Sequence, residues 1–96
     1  MSMITEYKVI NRLNVPEEAM KAVLKSEYSA NLCNPYTIEE LYVVWSSKTL
    51  ANWKALVATT RPNDGMYFEV TRNGAYSEIY IDTYIKIKNE TQKEKL

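Results

Sequence analysis

The residues able to do chemistry in this 96-residue chain are few. It holds no histidine, which removes the commonest general base, the Ser–His and Cys–His nucleophile pairs and the commonest transition-metal ligand. Acid–base work falls to carboxylates. Glu69 and Glu78 are the one pair whose mutual position can be argued from the sequence, because a two-residue turn at Asn73-Gly74 sets them directly opposite each other. Two facing carboxylates raise one pKa or hold a hard cation. A divalent cation wants more oxygen ligands than such a hairpin offers, so the pair reads as structural, neutralised by Lys54 or Arg72. Cys33 is the only cysteine; no intrachain disulfide or cysteine-rich zinc site can form, and the residue itself reads as a buried free thiol. The only glycines, Gly65 and Gly74, do not lie between a strand and a following helix, so no phosphate loop exists. The expectation is a protein with no enzymatic activity, no cofactor and no metal.

What the sequence does carry is aromatic surface. Eight tyrosines and two tryptophans are present, and Tyr67, Tyr76 and Tyr80 fall on the solvent side of the expected hairpin beside Glu69 and Glu78. Tyrosines on a wet sheet face stack bases in single-strand binders, but those platforms come with basic grooves and here the neighbours are acidic. Lys+Arg and Asp+Glu number twelve each, which also removes the strong positive field of a duplex binder or a polybasic membrane anchor. Tyr67, Tyr76, Tyr80, Glu69 and Glu78 therefore read as a protein interface, for a host factor or a second copy of the chain. The alternative is a small nucleotide- or single-stranded nucleic-acid-binding protein that uses the same tyrosine-rich face. Residues 1–6 lack a basic segment followed by an apolar run, and no stretch approaches the roughly 18 apolar residues of a membrane span. A cytoplasmic location is expected.

These side chains need elements to position them. Residues 4–13 carry Ile4, Tyr7, Ile10 and Leu13 at a spacing of three, against a short alternation from Tyr7 to Val9; helix is the preferred reading. Pro16 followed by Glu17 and Glu18 starts a helix, whose stripe Met20, Val23, Leu24, Tyr28 ends near Leu32 before Asn34-Pro35. Thr37 and Glu40 have capping-box spacing. Residues 42–45, Tyr-Val-Val-Trp, suit a strand buried on both faces in the middle of a sheet. Strands over 53–60 and 66–72 follow, joined by Pro-Asn-Asp-Gly turn chemistry. The register between them is open, with Trp53, Ala55 and Val57 favoured inward. A type I′ turn at Asn73-Gly74 then sets Arg72 against Ala75, Val70 against Ser77, Phe68 against Ile79 and Met66 against Ile81. The other face pairs Tyr67 with Tyr80, Glu69 with Glu78 and Thr71 with Tyr76. Beyond Asp82 the chain alternates as a strand would, or carries a helix capped by Asp82.

The runs Leu41-Tyr42-Val43-Val44-Trp45, Lys48-Thr49-Leu50, Asn52-Trp53-Lys54-Ala55-Leu56, Asp64-Gly65-Met66-Tyr67-Phe68-Glu69-Val70-Thr71 and Glu78-Ile79-Tyr80-Ile81-Asp82-Thr83-Tyr84 carry a resemblance. In order and spacing this half of the chain resembles small uncharacterised proteins of phages and prophages of Gram-positive bacteria. The resemblance implies no activity and transfers no functional residue. It implies a helix after Asp82 and a phage accessory protein that acts by binding. The expected fold is one α+β domain over 1–96: an antiparallel meander of about four strands, packed on one face by the N-terminal helix and by a C-terminal helix, with a polar tail from about residue 89.

Overall fold

Asn14 opens the first helix, α1 (Val15–Lys25), as its N-cap: its side-chain oxygen accepts the Glu17 N–H at 3.2 Å while its amide donates to the Glu17 carboxylate at 3.0 Å. Pro16, Glu17 and Glu18 lie in the first turn and Lys25 in the last, each where the helix dipole favours it. The computed structural model describes residues 14–94, so the reading of residues 4–13 lies outside the described residues. The buried face of α1 is Val15, Ala19, Ala22 and Val23, with Met20 and Leu24 partly buried beside it.

The helix does not run to Leu32. Ser26 turns extended (ψ 154°), donates its hydroxyl to the Val23 carbonyl at 2.6 Å and caps a second short helix, α2 (Glu27–Ala30). A serine that offers the backbone a local partner competes with helix continuation. Cys33 then falls in the connection after α2 and is exposed, which corrects the buried-thiol reading. Thr37 and Glu40 form the expected capping box around a single 3₁₀ turn, Ile38–Glu40.

Four strands follow, β1 (Leu41–Thr49), β2 (Asn52–Thr59), β3 (Met66–Asn73) and β4 (Glu78–Ile85), in one antiparallel sheet of order β1-β2-β3-β4. Helix α1 crosses the face over β1, β2 and β3 and touches β4 least. Under it lie Trp53, Ala55 and Val57 of β2 and Met66, Phe68 and Val70 of β3, joined by Tyr36 and Leu41. Trp53 points inward as favoured. The strand at residues 42–45 is not central, however: β1 is an edge strand, and Tyr42, Val44 and Trp45 are exposed. Its continuous apolar run reflects a bulge rather than burial on both faces.

The β3–β4 hairpin keeps its faces and shifts its partners. Asn73 pairs with Glu78, Arg72 with Ile79, Thr71 with Tyr80 and Glu69 with Asp82, across a four-residue loop of Gly74 to Ser77. The type I′ turn fails because neither Asn73 nor Gly74 adopts a positive φ; the left-handed residue is Ser77 (φ 52°). The Asn73 carbonyl accepts the Tyr76 N–H at 3.3 Å, and its side chain accepts the Ala75 N–H at 3.0 Å. A shift of four residues is even, so every side chain stays on its expected face.

Gly74 answers to a close approach instead. A Cβ there would lie 2.5 Å from the Ala51 Cβ and 2.7 Å from its carbonyl oxygen, in the β1–β2 turn. Gly74→Ala is expected to cost about 1–3 kcal/mol, as overpacking does, read as a lower urea midpoint with an unchanged slope. A midpoint equal to the parent's would show that the two turns part freely.

The C-terminal helix is also absent. Ile79, Ile81, Thr83 and Ile85 continue the alternation of β4, the Lys86 N–H extends the ladder to the Gly65 carbonyl at 2.7 Å, and residues 86–94 have neither helix nor strand. The period of two, made good by pairing with β3, overrides the cap at Asp82.

Candidate functional site

The registers arrange the sheet face opposite α1 as a grid of four rows. Tyr42, Ala58, Tyr67 and Tyr84 form the first, Trp45, Leu56, Glu69 and Asp82 the second. Ser47, Lys54, Thr71 and Tyr80 form the third; Thr49, Asn52, Asn73 and Glu78 close it at the hairpin end. No described element covers this face. Tyr42 (47% exposed), Trp45 (44%), Tyr80 (43%) and Tyr84 (52%) are open to solvent, and Tyr67 is half-buried among them.

Trp45 reaches this face through a defect in β1. Val43 pairs with Val57 but Trp45 pairs with Leu56, so two steps along β1 match one along β2 and Val44 is the extra residue. One inserted residue reverses the alternation, which brings Trp45 to the side of Tyr42. Without the bulge the two rings would stand on opposite faces. Between Trp45 and Tyr80 the hairpin end dips into an open groove of about 540 Å³, walled by Lys54, Thr71 and Asn73.

The polar groups are tied to one another. Lys54 Nζ lies 3.1 Å from one Glu69 oxygen, and the Tyr84 hydroxyl donates to the other at 3.3 Å, linking β2, β3 and β4. Of the two cations expected, Lys54 or Arg72, it is Lys54 that pairs, and with Glu69 alone. Arg72 stands on the other face and donates to the Ala51 carbonyl. The Tyr80 hydroxyl donates to Glu78 at 2.6 Å, and that hydrogen bond raises the Tyr80 pKa. The Tyr84 pKa rises too, chiefly from the negative charge of Glu69. Both phenols therefore stay neutral donors at physiological pH. The face carries three carboxylates, Glu69, Asp82 and Glu78, to two ammoniums, Lys54 and, where the ladder ends beside Tyr67, Lys86. Among the described residues no cluster of three or more His, Cys, Asp or Glu side chains could hold a metal ion.

Of the five interface residues expected from the sequence, Tyr67, Glu69, Tyr80 and Glu78 share the open face. Tyr76 does not: it sits in the hairpin loop, 72% exposed, because the loop has four residues instead of two. Glu69 and Glu78 are not opposite each other, so the facing-carboxylate pair of the sequence becomes Glu69 with Asp82. Tyr42, Trp45 and Tyr84 were missed. Tyr84 was within reach of the alternation from Ile79 to Ile85, and the helix reading hid it.

A second polar cluster lies beyond the β2–β3 turn and is saturated. Arg61 grips Glu40 with Nε (3.1 Å) and Nη2 (2.7 Å), donates from Nη1 to the Asn34 carbonyl (2.8 Å) and stacks 4.6 Å from the Tyr36 ring centre. The Tyr36 hydroxyl donates to Asp64 at 2.5 Å, and Thr59 donates to the same oxygen at 2.9 Å. Every strong donor has a partner within the chain, which marks a clamp on the loop before β1 rather than a ligand site.

The profile of a family of unknown function, DUF6275, matches residues 13–94. Neither the curated proteins nor the solved structures hold a match to the chain. No helix among the described residues is long and apolar enough to cross a membrane.

Proposed function

We propose that this chain, which belongs to the DUF6275 family, is a non-catalytic binding module that docks onto another protein through its open sheet face. The observation that carries this reading is the aromatic grid: Tyr42, Trp45, Tyr67, Tyr80 and Tyr84 on one uncovered surface. Rigid rings with a polar tip add contact area at little entropic cost, and such residues dominate binding energy where a partner buries them. The charge of the face favours a protein partner. Three carboxylates against two ammoniums leave the face without the basic groove that a phosphate backbone needs, so single-stranded nucleic acid is the weaker reading. The resemblance to phage and prophage proteins supports a partner in a bacterial host, with the chain as an accessory protein that occupies a host or defence factor.

The test is capture from host lysate by the full chain and by the Trp45→Ala and Tyr67→Ala/Tyr80→Ala variants, with the captured protein identified and its affinity then measured directly. Each lost ring is expected to cost about 2 kcal/mol, roughly thirtyfold in Kd, with weak dependence on salt. Affinity equal to the parent's in all variants would remove the open face from the interaction. Stabilisation by short single strands or nucleotides in a thermal-shift panel, falling steeply with salt, would establish the nucleic-acid reading instead.

A further inference from the structure

The two edges of the sheet are built differently. The outer edge of β1 is interrupted by the bulge at Val44 and carries Lys48, both devices that discourage strand addition. The outer edge of β4, Glu-Ile-Tyr-Ile-Asp-Thr-Tyr-Ile, has no proline, lysine or bulge, and among the described residues no strand lies against it.

Its backbone polarity follows from one hydrogen bond. Lys86 directs its N–H to Gly65, so the residues in phase with it, Tyr84, Asp82, Tyr80 and Glu78, face β3, and Ile79, Ile81, Thr83 and Ile85 direct their N–H and C=O groups outward. The side chains of these same four stand on the α1 side. Ile79 is 43% and Ile85 64% exposed, and Ile79 and Ile81 floor a trough of about 360 Å³ beside Ala22.

We propose that a second copy of this chain pairs with the outer edge of β4, antiparallel across a two-fold axis through Ile81. The register is chosen by charge. Centring on Tyr80 would set Glu78 opposite the partner's Asp82, and centring on Asp82 would face that carboxylate with its own copy; like charges directly opposite are destabilising. Centring on Thr83 would run the ladder off the strand at Ile85. With Ile81 at the axis, Tyr80 faces the partner's Asp82, Glu78 faces the partner's Tyr84, and Ile79 faces the partner's Thr83. Phenol meets carboxylate on one side and apolar side chains meet on the other. This edge is distinct from the open face, so the two readings stand or fall separately.

Sedimentation of the full chain is expected to show a monomer–dimer equilibrium. Thr83→Pro deletes an outward N–H that the single chain does not use, a place where an edge strand tolerates proline; it is expected to weaken the dimer by on the order of tenfold or more with the loss of a ladder bond, at unchanged circular dichroism. A Cys33→Ser background carrying Ile81→Cys should cross-link on oxidation, since residues paired at the axis stand about 5.5 Å apart between Cα atoms, within disulfide reach. Ile85→Cys in that background should not. A monomer at every concentration overturns the proposal, as does a dimer that survives Thr83→Pro and fails to cross-link through Ile81→Cys. If such a dimer were lost in Trp45→Ala/Tyr67→Ala, the open face would be the self-interface.

Discussion

Phe68→Ala is expected to destabilise the fold by about 3–5 kcal/mol, the range for removing a large aromatic side chain from a packed core. Phe68 is fully buried and is the largest side chain with no exposure at all. It stands in β3 between Val57 of β2 and Thr83 of β4. Above it, Tyr36 meets its ring edge-on (centroids 5.9 Å apart, planes at 81°), and Tyr28 leans on it at the same separation. Such aromatic contacts add about 0.5–1.5 kcal/mol each beyond the area they bury. Collapse into the space is hindered, because the loop carrying Tyr36 is pinned by Arg61 and the sheet beneath is hydrogen-bonded on both sides of β3. A domain of this size holds only about 5–15 kcal/mol in total. The variant should therefore lose about a fifth or more of its stability, and a urea melt followed by tryptophan fluorescence through the buried Trp53 would read it. Loss of less than about 1 kcal/mol would mean that the three-ring cluster is not the centre of the core.

That cluster also shows where the sequence stopped being legible. The inward alternation of Trp53, Ala55 and Val57, and of Met66, Phe68 and Val70, is local pattern and was readable, as was the N-terminus of α1 from Pro16, Glu17 and Glu18. Faces survived even where partners did not: the four-residue loop moved every pairing of the β3–β4 hairpin by an even step, which leaves the side of each residue unchanged. What failed were features fixed by distant neighbours. Asn73-Gly74 has the dipeptide of a tight turn, but Gly74 is demanded by Ala51 across the sheet end, which no local rule contains. Val44 is a surplus residue only in relation to β2, so the exposure of Trp45 was hidden. The helix expected after Asp82 gave way to pairing with β3. The Arg61 clamp joins residues 21 apart, with no signature in either segment.

The clamp should set the pH limits of the fold. Arg61 holds the Glu40 pKa below the ordinary 4.5, first through its hydrogen bonds and then with help from the Thr37 N–H. A carboxyl that ionises more readily folded than unfolded stabilises the protein fully above pH about 4.5, and that contribution disappears as pH falls through the lowered folded value. Tyr36 works at the other end. Burial raises its pKa well above 10.0, and the hydrogen bond to Asp64 adds to the shift. The folded state keeps the phenolic proton more tightly, so its contribution is complete below pH 10 and is lost as pH rises beyond it. Melting temperature against pH is therefore expected to show a plateau that declines below about 4.5 and above about 10. Arg61→Ala should lower the plateau by on the order of 10 °C, because it uncovers Tyr36 and leaves the Asn34 and Pro35 carbonyls without their donor. It should also flatten the acid limb. Tyr36→Phe should flatten the alkaline limb while leaving the acid limb as in the parent. A parent-like acid limb in Arg61→Ala would show that Glu40 draws no folding energy from the guanidinium, and that other carboxylates set the acid limit.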